Sequence, residues 1–232
     1  MVEFVDLTHR FHEDMPGFRL EDDDGNIIEL SAEITSSLTH EESRPWYEGD
    51  ASFELTEIRM DTSVGTYLDA PGHRHPGRRG IAELELKELV LPGVAIDVRG
   101  FDADETAGQE VLPDGIDLTG HAVLFNFGWD RHWDSEAYRS YPFIGDALVD
   151  RLIEADVSMV GVDTFNIDDH RDSTRPAHTK LLEQDILIVE NLCNLDQLID
   201  RSFRFYAIPI PAVGAVAMPV RAFAEIDATD TR

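Results

Sequence analysis

The stretch Asp61–Pro76, DTSVGTYLDAPGHRHP, packs a Gly-Thr pair, a carboxylate at Asp69, a proline at Pro71 and imidazoles at His73 and His75 into one short segment. Ser63, Tyr67, Asp69 and His73 are separated by even offsets. In an extended segment such side chains fall on one side, because successive residues alternate faces. Gly65 lets another group approach the backbone closely. Pro71 ends any ladder and fixes the chain direction just ahead of His73. A carboxylate and an imidazole aimed at one space can bind a metal or move a proton. Taken without context, the same residues also read as a polar loop with incidental histidines.

Upstream, Phe53, Leu55, Glu57 and Arg59 alternate with Glu54, Thr56, Ile58 and Met60, the pattern of a strand leading into this segment. Phe4–Leu7 reads as a first strand, followed by His9, which is either near the site or a hydrogen-bonded structural histidine. His12 and His40 carry no spacing argument, and Asp22–Asn26, DDDGN, is a solvated turn. Trp46, in a polar loop, either lines a pocket or covers core. Downstream, Arg78 and Arg79 form the most basic spot, read as pairing with local acids in preference to holding a substrate carboxylate. Ile81–Leu89 is expected to be a short helix stopped by Pro92-Gly93, and Val94–Val98 a strand. Asp102–Asp117 reads as an exposed connection, and His121–Phe127 as a strongly apolar strand. Trp129, His132, Trp133 and Tyr138 cluster as either the wall of a pocket for a cyclic or aryl substrate or an aromatic lid over core. Asp146–Ala155 has helical periodicity, Val157–Val162 is a buried strand, and Asn166–His170 is a turn.

The second informative stretch is Arg175–Asp196, RPAHTKLLEQDILIVENLCNLD. His178 precedes a short helix containing Leu181 and Leu182, and Ile186–Val189 reads as a buried strand ending at Glu190. Open sheets place reactive groups at such strand ends. A carboxylate directly after ILIV requires water, a metal or a hydrogen-bonding partner, because burying it unpaired is expensive. Phe205–Val220 is expected to supply closing strands, and the tail 226–232 to fray.

These two stretches resemble the putative cyclase family of metal-dependent hydrolases, which includes bacterial kynurenine formamidases and isatin hydrolases. The family pattern is His-x-Gly-Thr-His-x-Asp-x-Pro-x-His. Here Gly65, Thr66, Asp69, Pro71 and His73 match, and Ser63 and Tyr67 stand where the family has two metal-binding histidines. The later H-x-x-L-L and E-N-L elements match at His178 and Glu190. The resemblance implies one α/β domain over 1–232 of the swivelling β/β/α type, a mixed sheet or open barrel with outer helices, assembled as a homodimer or homotetramer. It implies a hydrolase of a small amide, formamide, lactone or lactam. Asp69, His178 and Glu190 would hold one divalent metal, Zn2+ or Mn2+. His73 would act as general base or acid, with the Ser63 and Tyr67 hydroxyls assisting. A metal-free or non-catalytic relative that binds a small molecule is the alternative, since two ligand positions are replaced.

Composition narrows the partners. The chain has 232 residues, with 47 Asp plus Glu against 19 Lys plus Arg, a net charge of -28. Such a field repels phosphates, which argues against nucleic acid and anionic membrane surfaces; the partner that the resemblance implies is a small-molecule substrate. The balance resembles that of halophilic cytosolic proteins, where salt screens self-repulsion. Cys193 is alone, so no internal disulfide exists, and it reads as a structural thiol. No basic region precedes a long apolar run at the N-terminus, and no segment has the apolar length to cross a bilayer. The expectation is a cytoplasmic protein.

Overall fold

The structure, a computed structural model, describes residues 2–21, 24–113 and 115–227. In chain order the strands are β1 (Val2–Asp6), β2 (Arg19–Glu21), β3 (Ile27–Glu29), β4 (Ala32–Leu38), β5 (Leu55–Met60), β6 (Tyr67–Asp69) and β7 (Val90–Asp97). They continue with β8 (Thr106–Ala107), β9 (Ala122–Asn126), β10 (Phe143–Ile144), β11 (Met159–Val162), β12 (Leu187–Glu190), β13 (Phe203–Pro209) and β14 (Ala217–Asp227). The helices are α1 (His40–Ser43), α2 (Leu86–Leu89), α3 (Asp146–Glu154) and α4 (Pro176–Glu183).

Apolar runs without alternation, AVLFN in β9, MVGV in β11 and LIVE in β12, are buried along their whole length. Strands covered on both faces read this way, and these three pair in parallel, with β7 parallel to β9. β13 instead alternates, burying Phe203, Phe205 and Ala207, and pairs antiparallel with β7 and β14. The short β6 then pairs with β12 on one side and with the start of β14 on the other. That contact turns the mixed sheet into a closed seven-stranded barrel, with β1 added along β14.

The barrel has a core on each face. All seven strands contribute to the enclosed one, which includes Leu68, Leu91, Leu124, Met159, Val189, Phe205 and Ala222. The other lies outside β7, β9, β11 and β12, where Phe125, Val160 and Ile188 meet Leu148 and Leu152 of α3 and Leu181 and Leu182 of α4. Each such fully buried aliphatic or aromatic side chain contributes ~1.5–3 kcal/mol relative to exposure.

Several expectations need correction. The sheet closes, so it is not an open barrel, and β14 continues through a buried Ile226 paired with Phe203, so fraying does not begin at 226. The expected frayed residues 228–232, and Asp22 and Asp23 of the acidic turn, lie outside the described residues. The Ile81–Leu89 segment splits into a 3-10 turn, Ile81–Glu83, and α2. Pro92-Gly93 lies inside β7, where Gly93 faces Phe203. The acidic Asp102–Asp117 connection is anchored rather than simply exposed: β8 pairs with β10, and Ala107 and Leu112 are buried. β5 is a strand, but it pairs with β4 in a hairpin outside the barrel and exposes Leu55 and Ile58. Trp46 is exposed, so it neither lines a pocket nor covers core.

Candidate metal centre and its pocket

β6 holds its residues between two neighbours, and the register fixes what faces what. Tyr67 lies opposite Glu190 and Asp69 opposite Ile188, while Leu68 and Val189 point into the enclosed core. Period-two alternation therefore puts Tyr67, Asp69 and Glu190 on the outer face, toward α4. The even-offset reading holds across β6 alone. Ser63 precedes Gly65, whose φ of +66° is left-handed, and His73 follows in a 3-10 turn, Pro71–His73. A Cβ on Gly65 would lie 3.3 Å from the Phe11 ring.

The two informative stretches of sequence are tied together by backbone-directed hydrogen bonds. Asn191, itself at a φ of +57°, donates from Nδ2 to the Gly65 carbonyl at 2.7 Å, and Thr66 donates its hydroxyl to the Asn191 carbonyl at 2.5 Å. The turn bearing His73 is fastened to α4 by His75 Nε2 against the Thr179 carbonyl at 2.8 Å and by Arg74 Nε donating to Thr179 Oγ1 at 3.0 Å. His178 lies inside α4 as its third residue, not ahead of the helix. Buried Asp168 caps that helix from outside, accepting from the Ala177 and His178 amides at 2.7 and 3.0 Å and pairing with His178 Nδ1 at 2.7 Å. The Nδ1 contact leaves Nε2 turned to the site, the arrangement that a carboxylate on the far ring nitrogen gives metal-binding imidazoles.

There His178 Nε2 lies 3.6 Å from Asp69 Oδ2 and 3.6 Å from Glu190 Oε1, and His73 Nδ1 lies 3.6 Å from Asp69 Oδ1. Donor atoms of Asp69, His73 and His178 all fall within 4.8 Å of one another, a group able to hold a metal ion. Asp69 and Glu190 are fully buried, His178 nearly so, and the His73 side chain keeps 33% of its exposure. Glu190 is well supplied with donors: the Ile167 amide at 2.8 Å, Asn166 Nδ2 at 3.3 Å and the Tyr67 hydroxyl. Asp69 is not. Both of its carboxylate oxygens are buried with no hydrogen-bond partner. A bare buried carboxylate costs several kcal/mol or more, so it calls for a positive partner.

The electrostatics agree. Burial opposes a charge on His178, yet Glu190, Asp168 and Asp69 push its pKa up to about 10. Burial also resists ionisation of Asp168, but the His178 and Ala177 hydrogen bonds outweigh it and hold the carboxyl below its ordinary range. Burial, then Glu190 and Asp69, drives the Tyr67 phenol far above its usual value, so Tyr67 is a neutral donor to Glu190. Asp69 and Glu190 on the Nε2 side of one imidazole, with both Asp69 oxygens unpartnered, suit a divalent cation held by oxygen and nitrogen.

Above this group a cavity of about 240 Å³ is lined by Ser63, Tyr67, His73 and His178 with Phe18, Leu20, Leu30, Arg74, Asn166 and Arg175. The aromatic loop does not form its wall. Trp129 and Tyr138 are buried in the outer core, and Trp133 stacks on His9 with centroids 3.9 Å apart. Of the two readings, the lid over core holds. Arg78 and Arg79 pair locally, with Asp185 at 2.6 Å and with Glu88 at 2.7 Å. Cys193 is buried, and desolvation pushes its thiol up to about 12, in keeping with a structural role.

The family described as Putative cyclase matches residues 5–169, more than half of the chain. The chain belongs to this family. The match contains Asp69 and His73 and stops short of His178. Among relatives, the chain is 29% identical over 228 residues to cyclase-like protein 3 of Oryza sativa subsp. japonica, covering 94% of this chain and 77% of that one. It is 29% identical over 175 residues to the kynurenine formamidase of Salinibacter ruber, covering 75% and 81%. Its fold is like that of isatin hydrolase A from Ralstonia solanacearum, with a TM-score of 0.83 at 23% identity over 97% of this chain and 92% of that one.

Sequence reasoning missed Asp168, Asn166, Arg175 and Phe18. Asp168 had a visible signal, an acid ten residues before His178 in a polar turn. Phe18 and Arg175 had none, since only the folded chain brings them to one cavity.

Proposed function

We propose that this chain is a metal-dependent hydrolase of a small amide, formamide, lactone or lactam. The observation that carries the reading is Asp69, buried with both carboxylate oxygens unpartnered beside two imidazoles. Asp69, His178 and Glu190 would hold one divalent cation, zinc or manganese. Relatives named as formamidase and isatin hydrolase support the reaction class, though not a substrate.

When bound, such a cation polarises a scissile carbonyl and acidifies water. The chain's own groups supply the rest. His73, half-exposed at the rim and 3.6 Å from Asp69, would take a proton from water and return it to the leaving nitrogen or oxygen. Asp168 fixes the His178 ring. Tyr67 and Asn166 hold Glu190 in place by donating to it, and Ser63 adds a hydroxyl to the cavity wall. Phe18, Leu20 and Leu30 give the substrate an apolar surface and exclude water from one side. The cavity is below the ~300–1,000 Å³ common for drug-sized ligands, which fits a small substrate.

The alternative, a non-catalytic binder, draws on one observation: the Tyr67 phenol donates to Glu190 and so occupies part of the centre. Turnover separates the two. A panel of aryl formamides and lactones is expected to be hydrolysed with added Zn2+ or Mn2+, to stop with chelator, and to slow by about 10²–10⁴-fold in His73→Gln with metal retained. Metal binding without turnover of any of these would favour the binder. Loss of metal in His73→Gln would move His73 from proton transfer to the ligand set. Assembly as a homodimer or homotetramer belongs to the same proposal, supported by Trp46, Tyr47, Leu55 and Ile58 exposed on or beside the β4–β5 hairpin.

A further inference from the structure

β1 is an outer edge of the sheet: it pairs with β14 and, among the described residues, with no strand on its other side. The ladder to β14 runs in unbroken register from Val2 opposite Asp227 to Asp6 opposite Phe223. The Leu7 amide continues it, donating to the Ala222 carbonyl at 3.0 Å. Backbone groups alternate sides along a strand, so with Leu7 turned to β14 those of Val2, Phe4 and Asp6 face away from the sheet. Proteins blunt such edges with lysine, proline, a bulge or a covering segment. VEFVD contains neither lysine nor proline, and its register has no bulge.

The side chains add a second observation. Val5 of β1, Phe205 of β13 and Ala222 and Ala224 of β14 belong to the enclosed core. Alternation therefore puts Phe4, Phe223 and Tyr206 on the opposite face. There they form an aromatic row across three strands: Phe4 meets Phe223 edge-on with centroids 6.0 Å apart, and Phe223 stacks on Tyr206 at 4.5 Å. Phe4 is the open end of that row, 65% exposed, with Val2 near it at 54%. Both acids of β1 are neutralised, Glu3 by Arg201 and Asp6 by Arg221, each at 2.6 Å. In a chain of net charge -28, this edge combines unpaired backbone, an exposed ring and locally balanced charge. A second copy, repelled by the net charge elsewhere, can approach here.

We propose that β1 pairs antiparallel with β1 of a second copy about a two-fold axis at Phe4, joining the two sheets edge to edge. β1 has five residues centred on Phe4, so this register pairs all of them. Val2 falls opposite Asp6 of the second copy, Glu3 opposite Val5, and Phe4 opposite its own copy. No two acids of the strands face each other, and the aromatic row runs on through both copies. A two-fold interface requires this self-complementarity. The surface is separate from the metal centre and from the β4–β5 hairpin, and it does not depend on the hydrolase reading.

Sedimentation equilibrium of the full chain in molar KCl, where salt screens the net charge, tests it. Phe4→Pro removes an outward amide and the ring while leaving the β14 ladder whole, as edge strands allow. Phe4→Asp keeps the amide and sets like charges opposite each other at the axis. Each variant should halve the assembled mass, from dimer to monomer or from tetramer to dimer; Phe4→Asp decides if the proline variant does not fold. Phe4→Cys reads the pairing itself. Opposed residues of a hydrogen-bonded antiparallel pair have Cα atoms about 5.5 Å apart, within disulfide range. Mild oxidation should give a covalent dimer at least tenfold faster than in Ile208→Cys. Ile208 lies on the same face of β13, two strands from the edge, so its two copies would stand about 24 Å apart. Cys193 is buried and common to both variants. The proposal is overturned by a wild type with the mass of one chain or by an assembled mass that neither Phe4→Pro nor Phe4→Asp lowers. Crosslinking of Phe4→Cys no faster than that of Ile208→Cys overturns it as well.

Discussion

His9 lies with its ring on Trp133, its amide bonded to Thr66 Oγ1 at 3.1 Å and its Nε2 buried without a partner. Burial lowers its pKa to about 4. The folded chain thus keeps His9 neutral where the unfolded chain, near its ordinary 6.5, takes up a proton. The stability this gives is complete above pH 6.5 and is lost as pH falls toward 4, amounting to about 2 kcal/mol once partial exposure is allowed for. In urea melts at fixed salt, the stability difference between wild type and His9→Phe should therefore move against wild type as pH falls from 7 to 4.5; parallel pH profiles would refute this. Asp168→Asn should fold but weaken metal affinity about 10–100-fold, by releasing the His178 ring. An unchanged dissociation constant would remove Asp168 from the account. Asp69 and His73 were legible from their even spacing in the Asp61–Pro76 stretch, Glu190 from its place directly after an apolar run, and His178 through the family pattern. Asn166 and Arg175 were not, because a turn residue becomes a partner only through the path of the chain around it.

β6 shows how much three residues can decide. It closes the barrel, aims Tyr67 and Asp69 outward and sets Tyr67 against Glu190. The alternation of β13 and the apolar runs of β9, β11 and β12 were readable because burial on one face or both leaves its own period. Closure was not, since the β14–β6 pairing joins residues far apart in sequence through a few backbone contacts. The placement of Pro92-Gly93 was misread for a related reason: tertiary pairing with β13 overrode a local stop signal. Gly93 is there because Phe203 lies across it, and an added Cβ would fall 2.1 Å from that ring. Gly93→Ala should cost about 1–3 kcal/mol through overpacking. A chemical-denaturation midpoint equal to that of wild type would contradict this.

The whole molecule carries a net charge of -28, and its mixed sheet closes around one core while its helices cover another. Among the described residues no helix is long and apolar enough to cross a membrane. Self-repulsion of this size should be screened by salt, so the melting temperature is expected to climb from low to molar KCl. A salt-independent value would argue against that reading of the charge. The composition foretold the charge but not the ion pairs, which join residues far apart in sequence, such as Arg78 and Asp185. The claim beneath all the chemistry is that Asp69, His178 and Glu190 share one cation. Metal content of protein purified without chelator tests it most directly: about one zinc or manganese per chain in wild type, lost in both Asp69→Ala and Glu190→Ala, is the predicted result. Wild type that binds neither metal when supplemented, or variants that keep a full complement, would contradict it.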